Sequence, residues 1–246
     1  MTGTFTEYFA AFGPQVATFI GCGGKTSSIW ALAERFRARR TLVATTTHMA
    51  RPPAAENRYD YFFDRDGLPD CARSGVALAG DARGGRLASL EPGALERLIG
   101  LYEYVFIEGD GSRMKPLKAW EDWEPVVAES TTLTVGVLPL WPLGRPIDEA
   151  LVHRLPLFLS LVGAEEGQRL EVGHLAALIA GSGAHGGLFK AARGKKILFF
   201  NQVEDEAAEA CALELVDLLP CDLKKTLHGV IAGSVQRNRV RSIFPL

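Results

Sequence analysis

Val16-Ala17-Thr18-Phe19-Ile20 followed by Gly21-Cys22-Gly23-Gly24-Lys25-Thr26-Ser27 and then Ser28-Ile29-Trp30-Ala31-Leu32-Ala33-Glu34-Arg35-Phe36 is the stretch on which the fold turns. The first five residues form a short apolar run, long enough for a strand buried on both faces. In the last segment Ile29, Leu32, Ala33 and Phe36 fall at i, i+3, i+4 and i+7, one face of a helix. Between them lies a glycine cluster that ends in Lys-Thr. That is the junction at which phosphate is held. Glycines let backbone N–H groups curl around oxygens, the helix start is positively polarised, and a lysine neutralises charge. Thr26 is placed to put its hydroxyl on Mg²⁺. The full pattern G-x-x-x-x-G-K-[ST] asks for glycine where Phe19 stands, so the loop is a tighter G-x-x-G-K-T that begins at Gly21. Gly21, Cys22, Gly23, Gly24, Lys25, Thr26 and Ser27 are therefore the expected nucleotide-binding residues, with Lys25 also a catalytic one. A small side chain filling a tight turn is the reading for Cys22.

Working outward, the same strand-then-helix grammar repeats. Thr41–Thr45, Val76–Ala79, Tyr104–Ile107, Leu133–Leu138, Lys196–Phe200 and Leu227–Ile231 read as strands. Helical spacing follows at Leu95, Leu98 and Ile99 behind Pro92, at Val172, Leu175, Ala176 and Ile179, and from Glu204 to Leu219. Alternation of this kind predicts an α/β fold, a mostly parallel sheet flanked by helices on both faces, built like a P-loop NTPase three-layer sandwich. The whole chain, 1–246, reads as a single P-loop domain. The Pro-rich stretch 139–156 is a candidate hinge to a small helical subdomain around 145–190. The weakly patterned region between Ala50 and Gly85 reads as an excursion over the surface.

Three further groups point to the carboxyl edge of that sheet. Glu108-Gly109-Asp110-Gly111 ends the strand at 104–107, where P-loop enzymes deliver an acid to the Mg²⁺ shell or the attacking water. Glu108 and Asp110 are expected as catalytic and metal-holding residues together with Thr26. Glu108 is expected to be fixed by the sheet, and Asp110 to sit on a loop that moves. Thr45-Thr46-Thr47-His48 ends the second strand and reads equally well as a polar site or an ordinary strand end. Asn201-Gln202-Val203-Glu204 resembles the guanine-reading N-K-x-D element, with Gln202 in place of Lys and Glu204 in place of Asp. Asn201 and Gln202 are thus candidate nucleotide-binding residues. Lys25 is expected to serve a ligand and to support no core.

Composition bounds the function. With 27 Lys+Arg against 29 Asp+Glu the chain has a net charge of −2, so it lacks the basic excess that displaces counterions from nucleic acid. No apolar run approaches the ~20 residues needed to span a bilayer. Cys22, Cys71, Cys211 and Cys221 form no C-x-x-C pair, which sets aside a zinc site and favours a reduced, cytoplasmic protein.

Taken together, G-C-G-G-K-T, T-T-T-H, the block Glu108-Gly109-Asp110-Gly111-Ser112-Arg113 and Pro116-Leu117-Lys118-Ala119 resemble the selenium-dependent hydroxylase accessory protein (YqeC) family. Trp123-Glu124-Pro125-Val126-Val127, His153-Arg154, Gly186-Gly187-Leu188-Phe189-Lys190 and Asn201-Gln202 continue the likeness over roughly residues 15–215. The chain departs from it at Gly109, Trp120 and Trp123. The resemblance implies an accessory protein that binds a nucleoside triphosphate, ATP or GTP, with Mg²⁺ and hydrolyses it. Its implied partners are a molybdenum hydroxylase or the proteins that mature the cofactor of that enzyme. By analogy Lys115 and Lys118 become candidates for anion contact. Two other readings stand beside this one: a Mur-type ATP-dependent ligase fragment, whose loop has the same short spacing, and a non-catalytic nucleotide- or anion-binding module.

Overall fold

The computed structural model describes residues 3–182 and 185–245. A nine-stranded sheet forms its centre. In chain order the strands are β1 (Gln15–Gly21), β2 (Arg40–Thr45), β3 (Tyr61–Phe63), β4 (Gly75–Ala79), β5 (Tyr104–Glu108), β6 (Leu133–Pro139), β7 (Lys195–Asn201), β8 (Gly229–Ser234) and β9 (Arg239–Phe244). Across the sheet they run β9-β8-β7-β6-β1-β5-β2-β4-β3. Every neighbouring pair is parallel except β8 and β9. This is the expected α/β architecture. The strands are apolar almost throughout because both of their faces are covered.

Alternation along each strand sends successive side chains to opposite faces. On one face Phe19, Phe106, Val137 and Phe199 meet α1 (Phe5–Ala10) and α2 (Lys25–Arg35) through Phe5, Phe9, Ile29 and Leu32. On the other, Ile20, Leu138, Leu198 and Phe200 lie in one cluster with α4 (Leu155–Val162), α5 (Val172–Ala180) and α6 (Glu206–Leu218). Leu42, Val105 and Ile107 on that same face pack against α3 (Pro92–Ile99). Helices therefore flank both faces. The stretch 145–190 supplies α4 and α5, whose apolar residues share their cluster with the sheet; residues 183 and 184 of it lie outside the described residues.

One region differs from the sequence reading. Besides β4, the strand expected at 76–79, the region between Ala50 and Gly85 contributes the edge strand β3 and part of a three-stranded antiparallel sheet, His48–Ala50 with Asp81–Arg83 and Arg86–Ala88. Its Arg- and Asp-rich turns masked the short apolar segments between them. At the other edge, alternating Arg239 and Arg241 belong to β9, which pairs antiparallel with β8.

The strand order decides where chemistry can occur. β1 lies between β6 and β5, so the glycine turn after β1 has Pro139 on one side and Glu108 on the other. Register places Glu108 beside Phe19 on one side and Thr45 on the other. The carboxyl ends of β1, β2, β5, β6 and β7 thus converge on one edge, the usual place for a ligand in such sheets.

Candidate functional site

The loop after β1 is held by its glycines. Gly21, Gly23 and Gly24 all have positive φ, at 94°, 72° and 133°. A Cβ on Gly23 would lie 2.3 Å from Pro139, and one on Gly24 would lie 2.1 Å from Asn201 Nδ2. Backbone and neighbours together exclude a side chain there. Cys22 is fully buried in the turn, and burial pushes its thiol up to about 12. That leaves it a packing residue and not a reactive thiolate.

Lys25 opens α2 but does not project into solvent. It is 4% exposed. Its Nζ donates to the Gly21 carbonyl at 2.5 Å and lies 3.2 Å from Asp110 Oδ1. Burial alone would lower its pKa; the Asp110 and Glu108 carboxylates outweigh that and raise it, so the ammonium stays charged. The expectation that Lys25 supports no core is therefore corrected. It balances a buried carboxylate.

Asp110 is the centre of this arrangement. It is completely buried. Its Oδ2 accepts from the Gly21 N–H at 3.0 Å and from Trp120 Nε1 at 2.6 Å, with Lys118 Nζ at 3.4 Å. Its Oδ1 accepts no hydrogen bond and faces Lys25. The mobile loop position expected from the flanking glycines is thus replaced by a carboxylate pinned from several directions. Gly109 shows why: a Cβ there would stand 2.8 Å from Thr18, so the chain runs tight against β1.

Glu108 ends β5, as its sequence position implied, and is buried. Thr26 Oγ1 donates to its Oε2 at 2.7 Å. Burial raises the Glu108 pKa, and Asp110 adds to the rise, while Lys25, Thr26 and Arg86 pull it back. A carboxyl so placed can take up a proton nearer neutrality than an exposed one. Two of the three threonine hydroxyls are spent on the sheet edge. Thr45 donates to the Glu108 carbonyl at 3.0 Å, Thr46 to the Val126 carbonyl at 2.6 Å, and the Thr47 hydroxyl is buried without a partner.

Behind Asp110 lies a second layer of charge, where the sequence reading offered an anion contact or a solvated basic loop. Lys118 is completely buried. It donates to the Gly111 carbonyl at 2.7 Å and to Glu124 Oε2 at 3.0 Å, and Arg154 also pairs with Glu124. Lys115 caps the carbonyls of Glu149 and Val152. Trp120, where the chain departs from the family pattern, is 3% exposed and committed to Asp110, whereas Trp123 is 70% exposed. The signal for Lys118 and Trp120 was their place just after an acidic strand end; their burial was not visible in it.

Asn201 closes the far side of the loop. Its Nδ2 donates to the Gly23 carbonyl at 2.8 Å and its Oδ1 accepts from the Val235 N–H at 3.0 Å. Gln202 is exposed, with φ 64°. The structure therefore brings Gly21 to Ser27, Glu108, Asp110 and Asn201 to one edge, and leaves Gln202 facing outward. His153 lies at the strand pair Leu117–Lys118 with Val152–His153; the side chain of His185 is outside what is described. Among the described residues no group of three or more His, Cys, Asp or Glu side chains is gathered as a metal site, and no helix is long and apolar enough to cross a membrane.

A family model described as YqeC protein matches residues 17–156, a span that contains the glycine loop, Glu108, Asp110, Lys118, Trp120, Glu124 and Arg154. An Escherichia coli (strain K12) relative, described as uncharacterized protein YqeC, is 33% identical over 176 residues, 68% of each chain. On both counts the chain belongs to the YqeC family.

Proposed function

We propose that this edge binds a nucleoside triphosphate with Mg²⁺ and hydrolyses it. The observation that carries the reading is a charged, buried lysine at the N-terminus of α2, beside a glycine turn that excludes side chains and a threonine–glutamate pair at 2.7 Å. Backbone N–H groups of the turn and the positive end of α2 suit phosphate oxygens. Lys25 adds the charge, and Asp110 keeps it aimed along the loop.

Mg²⁺ takes hard oxygen donors and keeps several waters, so one hydroxyl and one carboxylate beside substrate phosphates are a sufficient protein share. The Thr26 hydroxyl and the Glu108 carboxylate fit that share and are the residues that would hold it. The ion, when bound, supplies charge neutralisation across the phosphates. Glu108, fixed at the end of β5, would orient the attacking water beside that ion. Asp110 acts through Lys25, whose ammonium it faces at 3.2 Å. An accessory role toward a selenium-dependent molybdenum hydroxylase is the part of this proposal supported by family resemblance alone.

Phosphate release by the full chain with Mg²⁺ and GTP or ATP tests it. Turnover that stops with EDTA, and in Glu108→Gln with nucleotide binding retained, supports the reading. Binding without turnover in the parent chain reduces the site to a nucleotide-holding module.

A further inference from the structure

The turn after β7 is fixed residue by residue. Asn201 is tied to the glycine loop and to Val235, as described above. Val203 is buried, and its N–H donates to the Gly233 carbonyl at 2.8 Å. Between them Gln202 takes the left-handed conformation and points its residue outward. The next residue, Glu204, has its Oε1 held by the Ser234 hydroxyl at 3.0 Å, and Ser234 is itself buried at the end of β8. Arg237 pairs with the other carboxylate oxygen from the solvent side. The Glu204 side chain remains 33% exposed. An oriented, accessible carboxylate thus stands on the same sheet edge as the phosphate loop, one turn from the residue that braces that loop.

From this juxtaposition we propose that Glu204 reads the base and that the nucleotide is a guanine nucleotide. The inference rests on the phosphate-loop reading above. An ionised carboxylate only accepts hydrogen bonds. Guanine presents a ring N–H and an exocyclic amine side by side, two donors that a carboxylate satisfies together. Adenine puts an unprotonated ring nitrogen beside its amine, which sets a lone pair against the carboxylate. A site built to hydrogen-bond a given edge rejects a purine lacking it, because its own polar group is left unpaired. Asn201 serves as a positioning residue here, since both ends of its amide are engaged within the protein.

Titration of the full chain with GTP, ATP and XTP in Mg²⁺ tests the assignment. Hydrogen bonds to a charged group imply GTP tighter than ATP by about tenfold to hundredfold. Glu204→Gln should lose that margin and gain affinity for XTP, whose C2 carbonyl accepts from an amide. Equal affinity for GTP and ATP in the parent, both lost in Lys25→Ala, overturns guanine selection while keeping the phosphate loop. An unchanged GTP-to-ATP ratio in Glu204→Gln overturns the role of Glu204. Absence of binding by all three nucleotides overturns the phosphate-loop reading and this one with it.

Discussion

Lys25 Nζ and Asp110 Oδ1 face each other at 3.2 Å with both side chains out of solvent, so the residue proposed to meet phosphate is also half of a buried ion pair. Breaking such a pair from one side strands the remaining charge, at a cost of about 3–5 kcal/mol. Asp110→Ala should therefore destabilise strongly, since Lys25 and Lys118 both lose a carboxylate. Lys25→Ala should cost less, because Asp110 keeps Lys118, Trp120 and the Gly21 N–H. Urea unfolding midpoints of the two variants check the order; equal losses would contradict it.

Trp120→Phe removes the indole donor from Asp110 and, at this buried position, part of the ring as well. Loss of a hydrogen bond to a buried charge implies about 1–3 kcal/mol of destabilisation. Thermal melts of parent and variant measure it. An unchanged melting temperature would mean that the 2.6 Å contact adds nothing to the site.

Gly24→Ala should disable the loop through two separate causes. Its φ of 133° is one that an alanine rarely adopts, which implies about 1–3 kcal/mol of strain. Its Cβ would also strike Asn201 Nδ2. Adding Asn201→Ala relieves the second cause, leaves the first and gives up the Asn201 bonds to Gly23 and Val235, so the double variant should recover only in part. Full recovery of stability in the double variant would show that the backbone conformation costs nothing.

Acid sensitivity should be traceable to His153. Burial, then Arg154, Lys118 and Arg113, lower its pKa from 6.5 to about 4. Below 6.5 the unfolded chain takes a proton that the folded chain refuses, so this contribution is lost between about pH 6.5 and about pH 4. Glu108 works the other way, because its raised pKa favours the folded state as it protonates. The difference between parent and His153→Gln isolates the histidine. Denaturation midpoints against pH should run closer to flat for the variant in that window; parallel curves would contradict the assignment.

The parts of this protein legible in its sequence are those whose meaning is local. β1, the glycine turn and α2 follow from periodicity and from residues that only a tight turn needs. The identity of β5 and the placement of Glu108 at its end follow from an apolar run stopped by an acid. What escaped is non-local. Nothing near Asp110 in the chain says that Trp120 and Gly21 will both donate to one of its oxygens, and two flanking glycines suggest freedom where packing against Thr18 imposes the reverse. β3 escaped because an edge strand of three residues between charged turns carries little hydrophobic pattern of its own.

The central claim is that Lys25 and the loop from Gly21 to Ser27 hold a triphosphate. Isothermal titration of the full chain with Mg²⁺ and GTP, and then with ATP, measures this most directly when Lys25→Ala, shown folded by circular dichroism, is run beside the parent. The account predicts saturable binding of one nucleotide per chain, weakened at least about tenfold to hundredfold in the variant by loss of a charge-assisted contact. Equal affinity in parent and variant, or no binding of either nucleotide by the parent, would contradict it.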